Sequence, residues 1–491
     1  MLSIRILIPP IVVLLSLGIL SPKVHSQDNG LDNLPWLKTN GRWIVDESGN
    51  TVILRGTNYM GMEFGWFGHS EEDFKRIRDW GFTVVRLPIA WSYIEPKEGY
   101  YNESYLKIVD KVISWCKEYK LYVILDMHQW NWAPKFGGNG LPNWAVEKYS
   151  SQDEAKVGFF NNETLQNEFF KMWVYVAKRY KNESTIFAYD VLNEPNVNYN
   201  LMSRDVFIKK LQLFYQGAID AIRKVDSKHI LFVEPPWGDE VEAFQDISFN
   251  DFNLVLSTHL YTEGTWDGKT GYDGNPSKLE SDFLRGYNLS LKWNTPLFVG
   301  EFGVGSSAAK AQEWARDYVN IFDKYMVGAT WWTYWRDDNS FGLLTSKGEE
   351  KKNILSALIR IYPYSFNLPP KKFSYDIYNS ILVAQWDQSN NNSEVEVLFK
   401  VPSTIGEYFS ISSNFSKTTF SFIKELQSIN VTAQGGQKSY IKISSNILTN
   451  YEVKKTSPNF SSFFFLFSLA LNFVLLAVLV FLKIKNLIRS K

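Results

Sequence analysis

Cysteine is all but absent from this chain. Cys116 is the only one among 491 residues, so no disulfide can close within it. It sits in a helical pattern over 108–119 and reads as a small core residue. Without disulfides the fold rests on its core, and 45% hydrophobic residues supply a large one. An excess of either charge is lacking too, since 52 basic and 52 acidic residues cancel. A nucleic-acid binder would carry a basic surplus, so that class is excluded. Histidine is scarce, with five in all. No His-Glu-x-x-His, cysteine cluster or Asp-rich loop occurs, and neither a metal nor another cofactor is expected. Gly137-Gly138-Asn139-Gly140 reads as a loop, not a phosphate cradle.

The two ends carry the long apolar runs. Arg5, an apolar stretch over 6–20 and Val24-His25-Ser26 describe a signal peptide over 1–26. Residues 463–482 hold no charge and are long enough to span a bilayer. The basic tail 483–491 that follows predicts a cytoplasmic end. The expected topology is therefore a single-pass type I protein of the cell membrane, with an extracellular body. Eight Asn-x-Ser/Thr sequons, at Asn102, Asn162, Asn182, Asn288, Asn391, Asn414, Asn430 and Asn459, agree with export and a glycoprotein.

Between the ends the chain divides in two. Strand-like runs at 51–58, 83–88, 122–127, 187–193, 230–234, 254–259, 296–301 and 329–335 alternate with helical patterns. The helices are expected at 70–80, 105–119, 165–180, 206–225 and 308–325. The first opens on a capping box, Ser70 with Asp73, and stops before Gly81. Eight such alternations predict an α/β fold, a (β/α)8 TIM barrel over 30–365. From 370 to 453 helical periodicity stops and short alternating runs predict a small C-terminal all-β sandwich. A polar linker, 454–462, leads to one transmembrane helix at 463–482.

Two of the apolar runs end in a glutamate: Tyr189-Asp190-Val191-Leu192-Asn193-Glu194-Pro195 and Leu297-Phe298-Val299-Gly300-Glu301. A carboxylate at the end of a buried strand is costly unless it is solvated, paired or used. A pair of them is the equipment for hydrolysing a glycosidic bond. Aromatic residues make up 16% of the chain, with 18 Trp, and their faces suit sugar rings. The active site of such a barrel lies at the C-terminal ends of its strands. Arg86, Asp126-Met127-His128-Gln129, Asn193-Glu194, His259, Tyr261, Glu301 and Trp335 all fall there.

Val85-Arg86-Leu87-Pro88, Asn193-Glu194-Pro195, His259-Leu260-Tyr261, Glu301-Phe302-Gly303 and a tryptophan of the last strand resemble glycoside hydrolase family 5 over about 36–362. Leu125-Asp126-Met127-His128-Gln129 and Phe136-Gly137-Gly138-Asn139-Gly140-Leu141-Pro142 resemble its endoglycoceramidase branch. The resemblance implies a retaining β-glycosidase with Glu194 as acid/base and Glu301 as nucleophile. It implies that Arg86 and Tyr261 hold Glu301, that Asn193 binds the sugar 2-hydroxyl, and that His128 and His259 position the sugar and the acid/base. Trp335 is expected beneath the sugar at the cleavage point, with Trp332 its rival. Trp130, Trp132, Trp144 and Trp237 are expected to extend the cleft. Trp130 stands where the branch carries Asp, so a sugar contact differs. The expected partners are a glycolipid or β-glucan substrate and the membrane, with the chain a monomer. A barrel that binds carbohydrate without turnover, and a transglycosylase, are the alternatives.

Overall fold

The computed structural model describes residues 33–387, 394–406, 409–436 and 438–445, without the side chains of 263 and 264. The expected signal peptide, linker, span and tail lie outside these residues, as do Asn391 and Asn459. Among the described residues no helix is long and apolar enough to cross a membrane.

Eight parallel strands close a barrel: Arg55–Asn58 (β1), Val84–Ile89 (β2), Tyr122–Met127 (β3), Ile186–Asp190 (β4), Ile230–Val233 (β5), Leu254–Leu260 (β6), Leu297–Phe302 (β7) and Gly328–Trp331 (β8). β8 pairs with β1, which completes the ring. Side chains alternate across a strand, and that period builds the interior in layers. Val84, Ile124, Ala188, Phe232, Val255 and Phe298 fill the lower layer, in one cluster with Leu34, Leu37 and Ile44, which close the barrel from below. Two residues further along the same strands stand Arg86, Asp126, Asp190, Glu234 and Ser257, all fully buried. The polar layer is thus the upward continuation of the apolar one.

Helices surround the barrel, and their starts follow local chemistry. Glu71–Asp79 has the expected capping box between Ser70 and Asp73. Asn102 and Asn162 cap Glu103–Glu118 and Glu163–Tyr180 by accepting from Tyr105 and Leu165. Pro276–Trp293, capped by Asn275, was not among the expected helices, although Asn followed by Pro is a start signal.

The β region departs from expectation in its membership. The run 51–58 divides: Thr51–Val52 leaves the barrel and only Arg55–Asn58 enters it. Lys38–Asn40, Trp43–Val45 and Thr51–Val52 join Tyr362–Phe366, Glu394–Lys400, Ser428–Gln434 and Lys417–Ile423 in one seven-stranded sheet. A four-stranded sheet of Lys372–Asp376, Ile381–Asp387, Lys438–Ser445 and Phe409–Ser413 accompanies it. One apolar cluster unites both, including Phe366, Phe373, Trp386, Val397, Val431 and Ile443. The N-terminal segment is drawn away because Thr51 and Val52 pair with Phe366 and Ser365. Beneath the barrel wall, Arg55 and Arg360 both contact Asp323, all three buried.

Candidate active site

Arg86 organises the upper layer. Its Nε donates to Asp190 Oδ2 at 3.0 Å, and Nη1 to Asn58 Oδ1 at 3.0 Å and Glu301 Oε1 at 2.8 Å. Nη2 donates to Asn193 Oδ1 at 2.8 Å and Glu234 Oε1 at 3.1 Å. Asp126 Oδ2 stands 3.1 Å from Nη1. Burial opposes the charge, but Asp126, Asp190, Glu301 and Glu234 hold the guanidinium well above its ordinary value. One fixed cation thus faces four carboxyls. Burial raises Asp190 well above the usual range, and its neighbour Glu234 adds to this. Burial also acts on Glu234, but His259 and Arg86 bring it down to about 2.

Glu301 reaches this layer through a local irregularity. The β6–β7 register shifts between Val299 and Glu301, as a bulge does when it re-aims a side chain. Gly300 takes the inward position before it. A Cβ there would lie 2.6 Å from Ser257 Oγ and 3.1 Å from His259 Nε2. Glu301 accepts from Arg86 on Oε1 and from the Tyr261 hydroxyl on Oε2 at 2.7 Å. Burial pushes its carboxyl up from the ordinary value; His259 and Arg86 draw it down, while Glu194 adds to the rise.

Glu194 follows β4 in a left-handed conformation, φ 42°, which a non-glycine residue adopts at a cost. Its N–H donates to Glu234 Oε2 at 2.6 Å, and Gln129 Nε2 donates to its carbonyl at 2.9 Å. These bonds hold the turn that lifts the carboxylate toward the cleft. His259 Nδ1 lies 2.7 Å from Glu194 Oε1, and its Nε2 lies 3.2 Å from Glu234 Oε1. Burial disfavours charge on His259, yet Glu234 and Glu301 raise it well above the ordinary histidine value.

Single ligand atoms of Glu194, His259 and Glu301 lie within 4.8 Å of one another. That set could hold a metal ion by distance. His259 is already engaged on both sides, its Nδ1 by Glu194 and its Nε2 facing the buried Glu234.

The remaining expected residues divide. Asn193 donates to the Gln129 carbonyl at 3.2 Å and lines the cleft. His128 Nδ1 meets Asp126 at 2.8 Å, and its ring stacks on Trp332 with centroids 5.4 Å apart and planes 8° apart. Trp130 lines the cleft at 54% exposure, with Phe64 edge-on to it. Trp237 also lines it. Trp132 and Trp144 do not: Trp132 is buried against Phe159, and Trp144 donates to the Glu95 carbonyl. Trp335 lies outside the cleft, in a neighbouring pocket, and Trp332 takes the cleft position instead. The reason is that β8 ends at Trp331, so the chain has already turned away by Trp335.

The cleft encloses about 670 Å³. Several residues of the site escaped sequence reasoning. Glu234 ends an apolar run just as Glu194 and Glu301 do, so the signal was present. Lys156 comes from the short helix Gln152–Phe160, and Asn196, Trp266 and Phe341 from the segments that connect strands to helices, none with a motif. Lys156 is 6% exposed and donates to Asn196 Oδ1 at 2.6 Å.

Comparison with known proteins adds to this geometry. The family described as Cellulase (glycosyl hydrolase family 5) matches residues 45–338. Endoglucanase C of Acetivibrio thermocellus is 27% identical over 343 residues, covering 60% of this chain and 90% of that protein. An endoglycoceramidase of Hydra vulgaris is 22% identical over 407 residues, covering 70% and 76%. The structure of endo-glycoceramidase II from Rhodococcus sp. with ganglioside GM3 superposes with a TM-score of 0.69 at 20% identity, over 82% of this chain and 99% of that one. That likeness establishes a shared fold. The family match spans the barrel and every strand end that builds the cleft: the chain belongs to glycosyl hydrolase family 5, and it is a glycoside hydrolase.

Proposed function

We propose that this chain is a retaining β-glycosidase that cleaves the headgroup from a glycolipid in the manner of an endoglycoceramidase. The observation that carries the mechanism is the approach of Glu194 and Glu301 to within 4.8 Å. Retaining enzymes hold their carboxyls about 5–5.5 Å apart, whereas inverting ones leave room for a water between them. Glu301 attacks the anomeric carbon as Glu194 protonates the glycosidic oxygen and the aglycone departs. A water then attacks the glycosyl-enzyme bond, with Glu194 taking its proton and Glu301 released. Arg86 and Tyr261 hold Glu301 by its two oxygens, which fixes the line of attack. In this reading Asn193 binds the 2-hydroxyl and Trp332 supports the ring; both line the cleft.

Three things support the glycolipid. The endoglycoceramidase of Hydra vulgaris aligns over 407 residues, against 343 for Endoglucanase C. The cleft rim also exposes Trp130, Trp237 and Trp266, apolar surface suited to a lipid aglycone. The apolar ends of the sequence agree: an exported monomer tethered by 463–482 would hold its cleft near membrane lipid. A β-glucan is the second reading, since endoglucanases are among the relatives and an aromatic cleft also suits a glucan.

The test is a panel of glycolipids and soluble β-glucans, scored for released sugar and for its anomeric configuration. Intact headgroup released from glycolipid with retained configuration is expected; inversion would overturn the mechanism. Glu301→Ala should abolish turnover, with azide restoring it as an inverted glycosyl azide. Full activity in that variant would sink the nucleophile assignment.

A further inference from the structure

A second pocket, of about 210 Å³, lies beside the cleft. Its walls are Tyr59, Trp66, Asp73, Tyr334, Trp335 and Arg336. Both cavities use the same two segments. After β1, Met60 and Phe64 line the cleft and Trp66 the pocket; after β8, Trp332 lines the cleft and Trp335 the pocket.

Four of these six side chains are aromatic. Trp66 and Trp335 meet edge to face at 4.9 Å, and Tyr59 stacks on Tyr334 at 5.0 Å. Behind them His69 packs on Trp66 and Tyr59, and both its ring nitrogens lack a hydrogen-bond partner. Burial lowers its pKa to about 4, so it stands neutral. The one acid is already satisfied: Asp73 accepts from the Tyr59 hydroxyl at 2.7 Å, the Tyr334 hydroxyl at 2.6 Å and Ser70, with Arg76 3.9 Å away. Arg336 differs. Its guanidinium makes no hydrogen bond or ion pair among the described residues. Indole faces for a sugar ring, beside an uncommitted planar cation, are what an acidic sugar requires.

The pocket's place decides which part of a substrate it would meet. Around the closed barrel the order runs β8, β1, β2, β3, β4. The pocket lies over β8 and β1, across the mouth from Glu194 beyond β4. The leaving group occupies the proton donor's side, so the pocket faces the sugars that are retained in the product.

We propose that this pocket is a subsite for an outer sugar of the headgroup, and that Arg336 selects one bearing a carboxylate. The proposal rests on the glycosidase reading, with Glu194 as the donor.

Aryl β-glycosides test it. One would carry a headgroup ending in a carboxylated sugar; its twin would carry the same sugar as the methyl ester; shorter neutral glycosides would report the catalytic pair. The wild-type enzyme should favour the acid over the ester by about tenfold in kcat/KM. Arg336→Ala should remove that preference through KM, while Trp335→Ala should weaken acid and ester alike. Arg336→Lys, which keeps charge without the planar fork, should retain part of the preference. Turnover of the neutral glycosides with no acid preference, or a preference that survives Arg336→Ala, overturns this proposal and leaves the glycosidase reading standing. Turnover of none of them sinks both.

Discussion

The chemistry of this site depends on how single side chains share protons and charge. Arg86 contacts four carboxyls, so no one of them can be changed without disturbing the others. Glu301 is the clearest case. Burial and the nearby Glu194 raise its carboxyl above the ordinary range. A nucleophile works only when ionised, so activity falls as pH drops through that raised value. Glu194→Gln removes a like charge. The acid limb of kcat/KM should therefore move to lower pH, as measured with an aryl glycoside whose leaving group needs no proton. A limb that stayed in place would mean that the two carboxyls do not sense each other. With an alkyl leaving group the same variant should lose about 100-fold or more in rate. Both glutamates were legible in the sequence because each ends an apolar run. Lys156 and Trp266 were not, since they stand on short segments between the main strands and helices, with no motif to mark them.

At the scale of the element, the bulge in β7 matters most. It turns both Gly300 and Glu301 toward the interior, which a regular strand cannot do with neighbours. Gly300→Ala would place a methyl 2.6 Å from Ser257 Oγ. The strand would shift and take Glu301 with it. A loss of about 100-fold in kcat is expected, with the chain still folded by circular dichroism. Unchanged kcat would show that the bulge can absorb the methyl.

A second element-scale case lies in the sandwich strand Glu394–Lys400. Lys400 Nζ is buried and donates to the Leu426 carbonyl at 2.7 Å. Burial lowers its pKa from 10.5 to about 7. The unfolded chain therefore binds one more proton than the folded one between those values. Stability rises with pH across that window and the deficit is complete below it. Lys400→Met should raise the denaturation midpoint at neutral pH and abolish that rise. A lower midpoint would show that the carbonyl bond outweighs the burial of the amine. The sequence showed the strand by its alternation, and it could not show which lysine faces inward.

Across the whole molecule, barrel and sandwich are joined by more than a linker. Residues 38–52 precede the barrel yet complete the sandwich's larger sheet. Arg55 of β1 and Arg360, just before the sheet strand Tyr362–Phe366, share the buried Asp323. Asp323→Ala would leave two buried arginines without their anion, a loss of about 3–5 kcal/mol. Because both units use those residues, the two should unfold together at a lower denaturant midpoint. Two separate transitions in the wild-type protein would contradict this coupling.

Local periodicity alone determined the alternation of strand and helix, the barrel, the presence of a β region and the two glutamates. These follow from spacing along the chain, which a sequence carries directly. Tertiary structure decided the rest. The early strands went to the sandwich because their partners lie some 300 residues onward, at Ser365 and Phe366. Trp332 rather than Trp335 entered the cleft because β8 stops at Trp331. Glu234, His259 and Arg86 became one charge system because the closed barrel points successive strands at a common axis. Such meetings are set by ring closure and register, and neither is written in the spacing of any one segment.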